Sequence, residues 1–392
     1  MGRFIPLSVP NMEGNEKKYV LDAIEQTWVS TGGAYITEFE HRLSNFVKTE
    51  NVAACQSGTS ALHLSLLECG VERGDAVIVP TLTFIAAVNP VSYLFAEPMF
   101  MDCDDSLCMD VDKLKSFCET ECTFIDDKLI FRDKHVKAIV IVHIFGNMAD
   151  MEGIMDVAKK YNLRVVEDAT EALGTYYISG RYAGKYAGTI GDFGAFSFNG
   201  NKIITTGGGG AVTSESFKCV EHMRYLSTQA KDDPQYYIHD EIGYNYRMTN
   251  LQAALGVAQM EKLPEFINRK QKNYQLYKEL FDRFDLCKLL EFREGIDSNK
   301  WFYSLELDRS KISVSMREII ATLDGCGIQT RAVWGLVHEQ QPYKTCVAYK
   351  IEKALYYGNC ILNIPSSTNL TQDDIVFASE KIKTVLKGFA DE

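Results

Sequence analysis

The chain contains no apolar run near the roughly 20 residues a bilayer-spanning helix requires, and residues 1–6 lack the apolar core of a secretory signal. It contains no C-x-x-C pair among its 11 cysteines, which removes the usual zinc and dithiol signatures. Cys118 and Cys122 stand four apart with no second ligand pair nearby, so no metal site is expected. No G-x-G-x-x-G follows an early strand, which argues against a nicotinamide oxidoreductase. Internal repeats and low-complexity segments are absent. Positive charge is scarce: 41 Lys and Arg face 53 Asp and Glu, a net −12. That balance disfavours nucleic acid or an anionic membrane as a general partner. It still allows a phosphate-bearing small molecule, because backbone amides bind anions locally. The odd cysteine count and the apolar contexts predict reduced thiols and a cytoplasmic protein.

What is present is an ordinary globular composition, 46% hydrophobic and 24% charged over 392 residues. Apolar runs at 52–55, 76–80, 98–102, 138–143, 163–167, 193–198 and 211–213 read as strands. Helical patterns at 38–48, 150–161 and 216–227 fall between them. The alternation predicts an α/β fold whose mostly parallel sheet is covered on both faces. Ligand chemistry is then expected at the carboxyl ends of the strands. A helix is predicted over 11–27 and another over 251–260. A long charged helix over 261–284 is expected to bridge a large domain, 1–260, to a small α+β domain, 261–392, with strands at 301–307 and 330–333. Residues 103–131 read as irregular, and 177–191 as a hairpin.

Two stretches carry the chemistry. Phe196-Ser197-Phe198-Asn199-Gly200-Asn201-Lys202-Ile203-Ile204 leads through Thr205-Thr206 into Gly207 to Gly210. A lysine among small and apolar residues sheds hydration, which favours the neutral amine that adds to a carbonyl. The other reading is a surface lysine in a glycine-rich hairpin. Leu163-Arg164-Val165-Val166-Glu167-Asp168-Ala169 is a buried-strand pattern that ends in two acids. A pyridoxal phosphate (PLP) enzyme needs a Schiff-base lysine and a carboxylate on the pyridinium nitrogen. Lys202 and Asp168 can fill those two roles.

Glu167-Asp168-Ala169-Thr170-Glu171-Ala172-Leu173-Gly174, Ser197-Phe198, Lys202 and Thr205-Thr206-Gly207, in that order, resemble the DegT/DnrJ/StrS sugar aminotransferases. The resemblance runs over nearly the whole chain. It implies a type I, aspartate-aminotransferase-like PLP fold, with Lys202 and Asp168 catalytic. It implies that Gly58, Thr59 and Ser197 hold the cofactor phosphate, together with Asn245 reaching across a homodimer into the partner's site. Ser57-Gly58-Thr59 is by itself only a helix start, and Asn245 only a turn residue. Phe84 is a core residue on its own pattern and a ring-stacking residue by the resemblance. Glu171 would face the cofactor's phenolic edge, where the family often has Gln or His. His63, one turn inside its helix, reads as a packed histidine. Arg331, Trp334 and His338 form a run suited to phosphate pairing and stacking on substrate.

Asn199-Gly200, in place of the family's usual His-Pro, and the glycine run without its frequent Glu resemble one subgroup. Its members aminate UDP-linked 4-keto-6-deoxy-N-acetylhexosamines. The implied reaction moves an amino group from L-glutamate to the C4 keto group of such a nucleotide sugar, for surface glycan biosynthesis. Two rivals share the fold: a PLP sugar dehydratase, which carries histidine in place of the lysine, and a non-enzymatic regulator. Lys202 opposes the first, and Asp168 with Lys202 opposes the second.

Overall fold

The computed structural model describes residues 3–390. Seven strands build its large sheet: β1 Val52–Cys55, β2 Ala76–Pro80, β3 Glu97–Met101, β4 Lys134–Val142, β5 Arg164–Asp168, β6 Phe193–Ser197 and β7 Gly210–Thr213. They lie in the order β1-β7-β6-β5-β4-β2-β3. The short strand Ala348–Tyr349 and the hairpin Thr123–Ile125 with Lys128–Phe131 complete ten strands. β2 to β6 run parallel, while β7 is antiparallel to both of its neighbours. Successive residues enter opposite cores. Ile78, Ile139, Ile141 and Val165 pack on one face, and Val77, Val79, Val140 and Val166 on the other. This two-sided burial is why the strands are continuous apolar runs rather than alternating ones.

The main helices are α1 Glu16–Glu25, α2 Ala34–Val47, α3 Gly58–Glu68, α4 Met151–Tyr161, α5 Phe217–Ser227 and α6 Asn250–Phe281. α1 is shorter than the helix predicted over 11–27, and Thr27 in the left-handed region (φ 61°) stands just beyond its end. The two helices predicted over 251–260 and 261–284 are one helix, α6. It starts at a capping box made by Thr249 and Gln252. Pro264 removes one hydrogen bond inside it, and packing against α1 and α2 sustains the helix there. Residues 103–131 are not irregular. A helix at Val111–Thr120 is capped by the Asp110 side chain, and a hairpin follows. Its tip places Asp126 and Asp127 at φ 50° and 57°, the double left-handed turn that two-residue hairpins favour. Asp-Asp is a weaker signal for that turn than Asn-Gly.

A second sheet, β8 Cys287–Leu289, β9 Tyr303–Leu307, β10 Arg331–Ala332 and β11 Ile361–Ile364, runs in the order β8-β9-β11-β10. α6 and α7 Gln372–Gly388 pack together beside it. Lys270 of α6 is buried, and its ammonium donates to the carbonyls of Trp301, at 2.7 Å, and Ser366. The start of β9 is thereby tied to α6. Ile5 joins this second core, and its backbone bonds Gly327 and Gln329. All 11 cysteines are free thiols. Among the described residues no helix is long and apolar enough to cross a membrane, and no His, Cys, Asp or Glu cluster is arranged to hold a metal.

Glu167 clamps the sheet at its functional end. The carboxylate is fully buried and accepts from the N–H groups of Gly188 (2.9 Å), Ile190 (2.6 Å) and Gly191 (2.6 Å). It also bonds His143 Nε2 at 2.8 Å. His143 Nδ1 accepts from the Ala149 N–H, so Nε2 carries the hydrogen that Glu167 receives. Replacing Glu167 by Ala leaves these donors buried without an acceptor. We expect a loss of about 3 kcal/mol or more in stability, read as a lower thermal unfolding midpoint.

Candidate active site

A cavity of about 340 Å³ opens at the carboxyl ends of β4, β5 and β6. The register sets Val142, Asp168 and Ala195 side by side, so β4 and β5 end together and β6 runs on two residues to Ser197. The start of α3 forms one wall. Ser57, extended at φ −164°, caps it by accepting from the Ser60 N–H at 3.0 Å. Gly58 and Thr59 follow, and their N–H groups belong to the unpaired first turn of an eleven-residue helix, an anion site in form. A Cβ at Gly58 would lie 2.9 Å from the Ser197 Cβ, so glycine lets the helix start approach β6. Gly210 serves the same approach from behind, where a Cβ would lie 2.4 Å from the Ser57 backbone.

Asp168 closes β5. One carboxylate oxygen accepts from the Thr170 N–H at 3.0 Å. Among the described residues no ion pair neutralises it, and burial pushes its carboxyl up. Lys202 follows a turn after β6, its N–H donating to the Asn199 carbonyl at 3.0 Å. Its side chain is 13% exposed, and Nζ lies 3.7 Å from Glu171 Oε1 and 4.4 Å from the centroid of the Trp301 ring. Glu171 Oε2 accepts from the Phe145 N–H at 2.7 Å. Burial pushes the Glu171 carboxyl up to about 7, against the pull of the Lys202 charge.

The opposite wall is aromatic. Trp301 stacks on Phe302 with centroids 3.9 Å apart, and Trp334 lies 5.1 Å from Phe145 and 6.3 Å from Phe84. Phe84 is 53% exposed and lines the cavity, so it is not a core residue. Gly58, Thr59, Phe84, Asp168, Glu171, Ser197, Lys202 and Trp334 therefore converge here.

Asn245, Arg331 and His338 do not line this cavity. Asn245 pairs with Thr228 and accepts from the Gln229 side chain at 3.2 Å, on the surface. The Arg331 guanidinium donates to the adjacent Thr330 carbonyl from an exposed edge strand. His338 bonds Thr81 Oγ1 at 2.6 Å through Nδ1 and packs against Phe100, which braces the loop carrying Phe84. His63 is packed among Tyr93, Tyr244 and Tyr246. Trp301 and Phe302 are site residues that the sequence reading assigned to a strand. β9 begins only at Tyr303, which leaves the two rings ahead of it free to face the cavity. Three adjacent aromatics at a strand start were the available signal.

The donor set fits a planar, anionic, pyridine-type cofactor. The unpaired helix start suits a phosphate, the buried carboxylate lacks a cation, and a lysine stands between them. A search across known proteins agrees. The chain is 35% identical to a GDP-perosamine synthase of Caulobacter vibrioides over 374 residues, covering 95% of each chain. It is 26% identical to a UDP-4-amino-4,6-dideoxy-N-acetyl-beta-L-altrosamine transaminase of Campylobacter jejuni, covering 92% of each. A crystal structure of a DegT DnrJ EryC1 StrS aminotransferase from Brucella abortus superimposes with a TM-score of 0.84 at 26% identity, covering 96% of each chain. Residues 10–383 match the DegT/DnrJ/EryC1/StrS aminotransferase family. The chain belongs to that family of pyridoxal-phosphate-dependent sugar aminotransferases.

Proposed function

We propose that this protein transfers an amino group from L-glutamate to the C4 keto group of a nucleotide-linked 4-keto-6-deoxy sugar. The observation that carries this reading is the convergence of Lys202, Asp168 and the start of α3 on one cavity with an aromatic wall. PLP, when bound, supplies an electron-accepting ring. Lys202 would hold it through Nζ, and the same Nζ, when free, would move the proton at the reacting substrate carbon. Asp168 holds the proton on the ring nitrogen, and that positive charge offsets the cost of burying its carboxylate. Gly58, Thr59 and Ser197 bind the phosphate. Phe84 and Trp334 bound the mouth, where a ring can stack and water is displaced. Asn245 would serve a partner's site in a homodimer, a role that its exposure on its own chain supports.

Two nucleotides compete. Asn199-Gly200 and the glycine run speak for a UDP-linked N-acetyl sugar, the substrate class of the subgroup these departures resemble. The 35% identity to a GDP-perosamine synthase favours a GDP-linked sugar. Visible absorption of the purified protein decides between them. Glutamate should bleach the cofactor band, and only the true 4-keto sugar in a panel of UDP-, GDP- and dTDP-linked compounds should restore it. A protein that stays colourless with PLP would sink the assignment.

Lys202→Ala should keep its circular dichroism spectrum and lose about a thousandfold or more in turnover. Asn245→Ala should raise the dissociation constant for PLP and, mixed with Lys202→Ala subunits, give hybrid dimers whose activity reports a shared site. Unchanged PLP retention in Asn245→Ala would remove that role.

A further inference from the structure

The aminotransferase reading sets Glu171 against the cofactor's phenolic edge and gives it no part in proton transfer, although its carboxylate stands beside the Lys202 amine. Its carboxylate is buried, and one oxygen is pinned by the Phe145 N–H. Phe145 itself stands in the left-handed region at φ 57°, a backbone conformation that a phenylalanine rarely adopts. The other oxygen, Oε1, points at Lys202 across 3.7 Å, within reach by rotation of the lysine end. The charged groups that face Glu171 are Lys202, from the turn after β6, and Asp168, from the end of β5. His143, from the end of β4, is engaged with Glu167. Asn299 and Trp301, from the segment before β9, are neutral, and Asn299 bonds only the Glu171 backbone carbonyl.

We propose that Glu171 is a further catalytic residue that shares one proton with Lys202. The Lys202 N–H bond breaks, its electron pair stays on Nζ, and an O–H bond forms at Glu171 Oε1. The reverse transfer recharges the lysine. No other reactant is needed. A glutamine at this position can hydrogen-bond but cannot hold the proton. Burial strips hydration from the Glu171 carboxylate while the nearby Lys202 ammonium favours it, so the two effects oppose each other at Oε1. The upward push on the Glu171 carboxyl to about 7 accords with that balance.

The inference rests on the aminotransferase reading, and its test can fail separately. Infrared difference spectra of the full-length protein freed of cofactor, with Glu171→Gln as the blank, should show a protonated-carboxyl band. Its midpoint should lie near 7 and rise in Lys202→Ala, where no ammonium favours the carboxylate. Loaded with PLP, Glu171→Gln should keep the cofactor band and lose roughly ten- to a hundredfold in kcat with little change in KM. A carboxylate that stays ionised wherever the protein is folded, or a midpoint unmoved in Lys202→Ala, overturns the proposal even if the protein is a proven transaminase. A titrating Glu171 in a protein without transaminase activity would instead overturn the function.

Discussion

Glu167 is a carboxylate with no solvent access, and four hydrogen bonds reach it, one from His143 just past β4 and three from the turn that launches β6. Its position in the chain explains its importance. Asp168 is the next residue, and Lys202 is delivered by β6. The distance between these two groups is therefore set by how firmly β5 is held to β6. A buried charge without these donors would be expelled or protonated. With them it ties the end of β4 to the turn before β6, and the cavity opens where β4 and β5 stop and β6 runs on to Ser197.

Around that frame the charges are few and closely placed. Two buried acids, Asp168 and Glu171, face one lysine, and both carboxyls are pushed up by burial. Such a set is unstable as isolated charges and suited to proton movement or to a cationic heterocycle. The aromatic wall has a complementary effect. The Trp301 face accepts the lysine ammonium at 4.4 Å without adding another carboxylate, and Lys270 holds the Trp301 backbone from behind. The small sheet thus contributes to the site through two residues just ahead of β9, Trp301 and Phe302, and one, Trp334, just past β10.

The large sheet, the strand–helix alternation, Asp168 and Lys202 were legible in local patterns, whereas Gly58, Thr59 and Ser197 came from the family resemblance. Buried parallel strands are continuous apolar runs, a helix start after a small-residue turn has a fixed form, and an acid closing such a strand stands at the functional edge. The hairpin at Asp126-Asp127 was missed because its turn needs two left-handed residues and lacks glycine. The unity of α6 was missed because the change near residue 260 from small to charged residues reads as a boundary, whereas packing on α1 and α2 carries one helix through it. Arg331 and His338 were grouped with Trp334 by proximity in sequence, but β10 and the following short helix turn the three in different directions.

Local periodicity by itself determined the fold class, the ordered motifs gave the family by resemblance, and side-chain chemistry singled out Lys202 and Asp168 as the candidate lysine and carboxylate. Only the tertiary structure decided that Trp301 and Phe302 form a wall, that Phe84 stands at the mouth and that Glu171 faces Lys202. It also decided that Asn245 lies away from its own cavity. Those facts depend on contacts between residues 30 to 150 or more positions apart. No periodicity within one segment encodes such distances, because they arise when separate elements bury their apolar faces against one another.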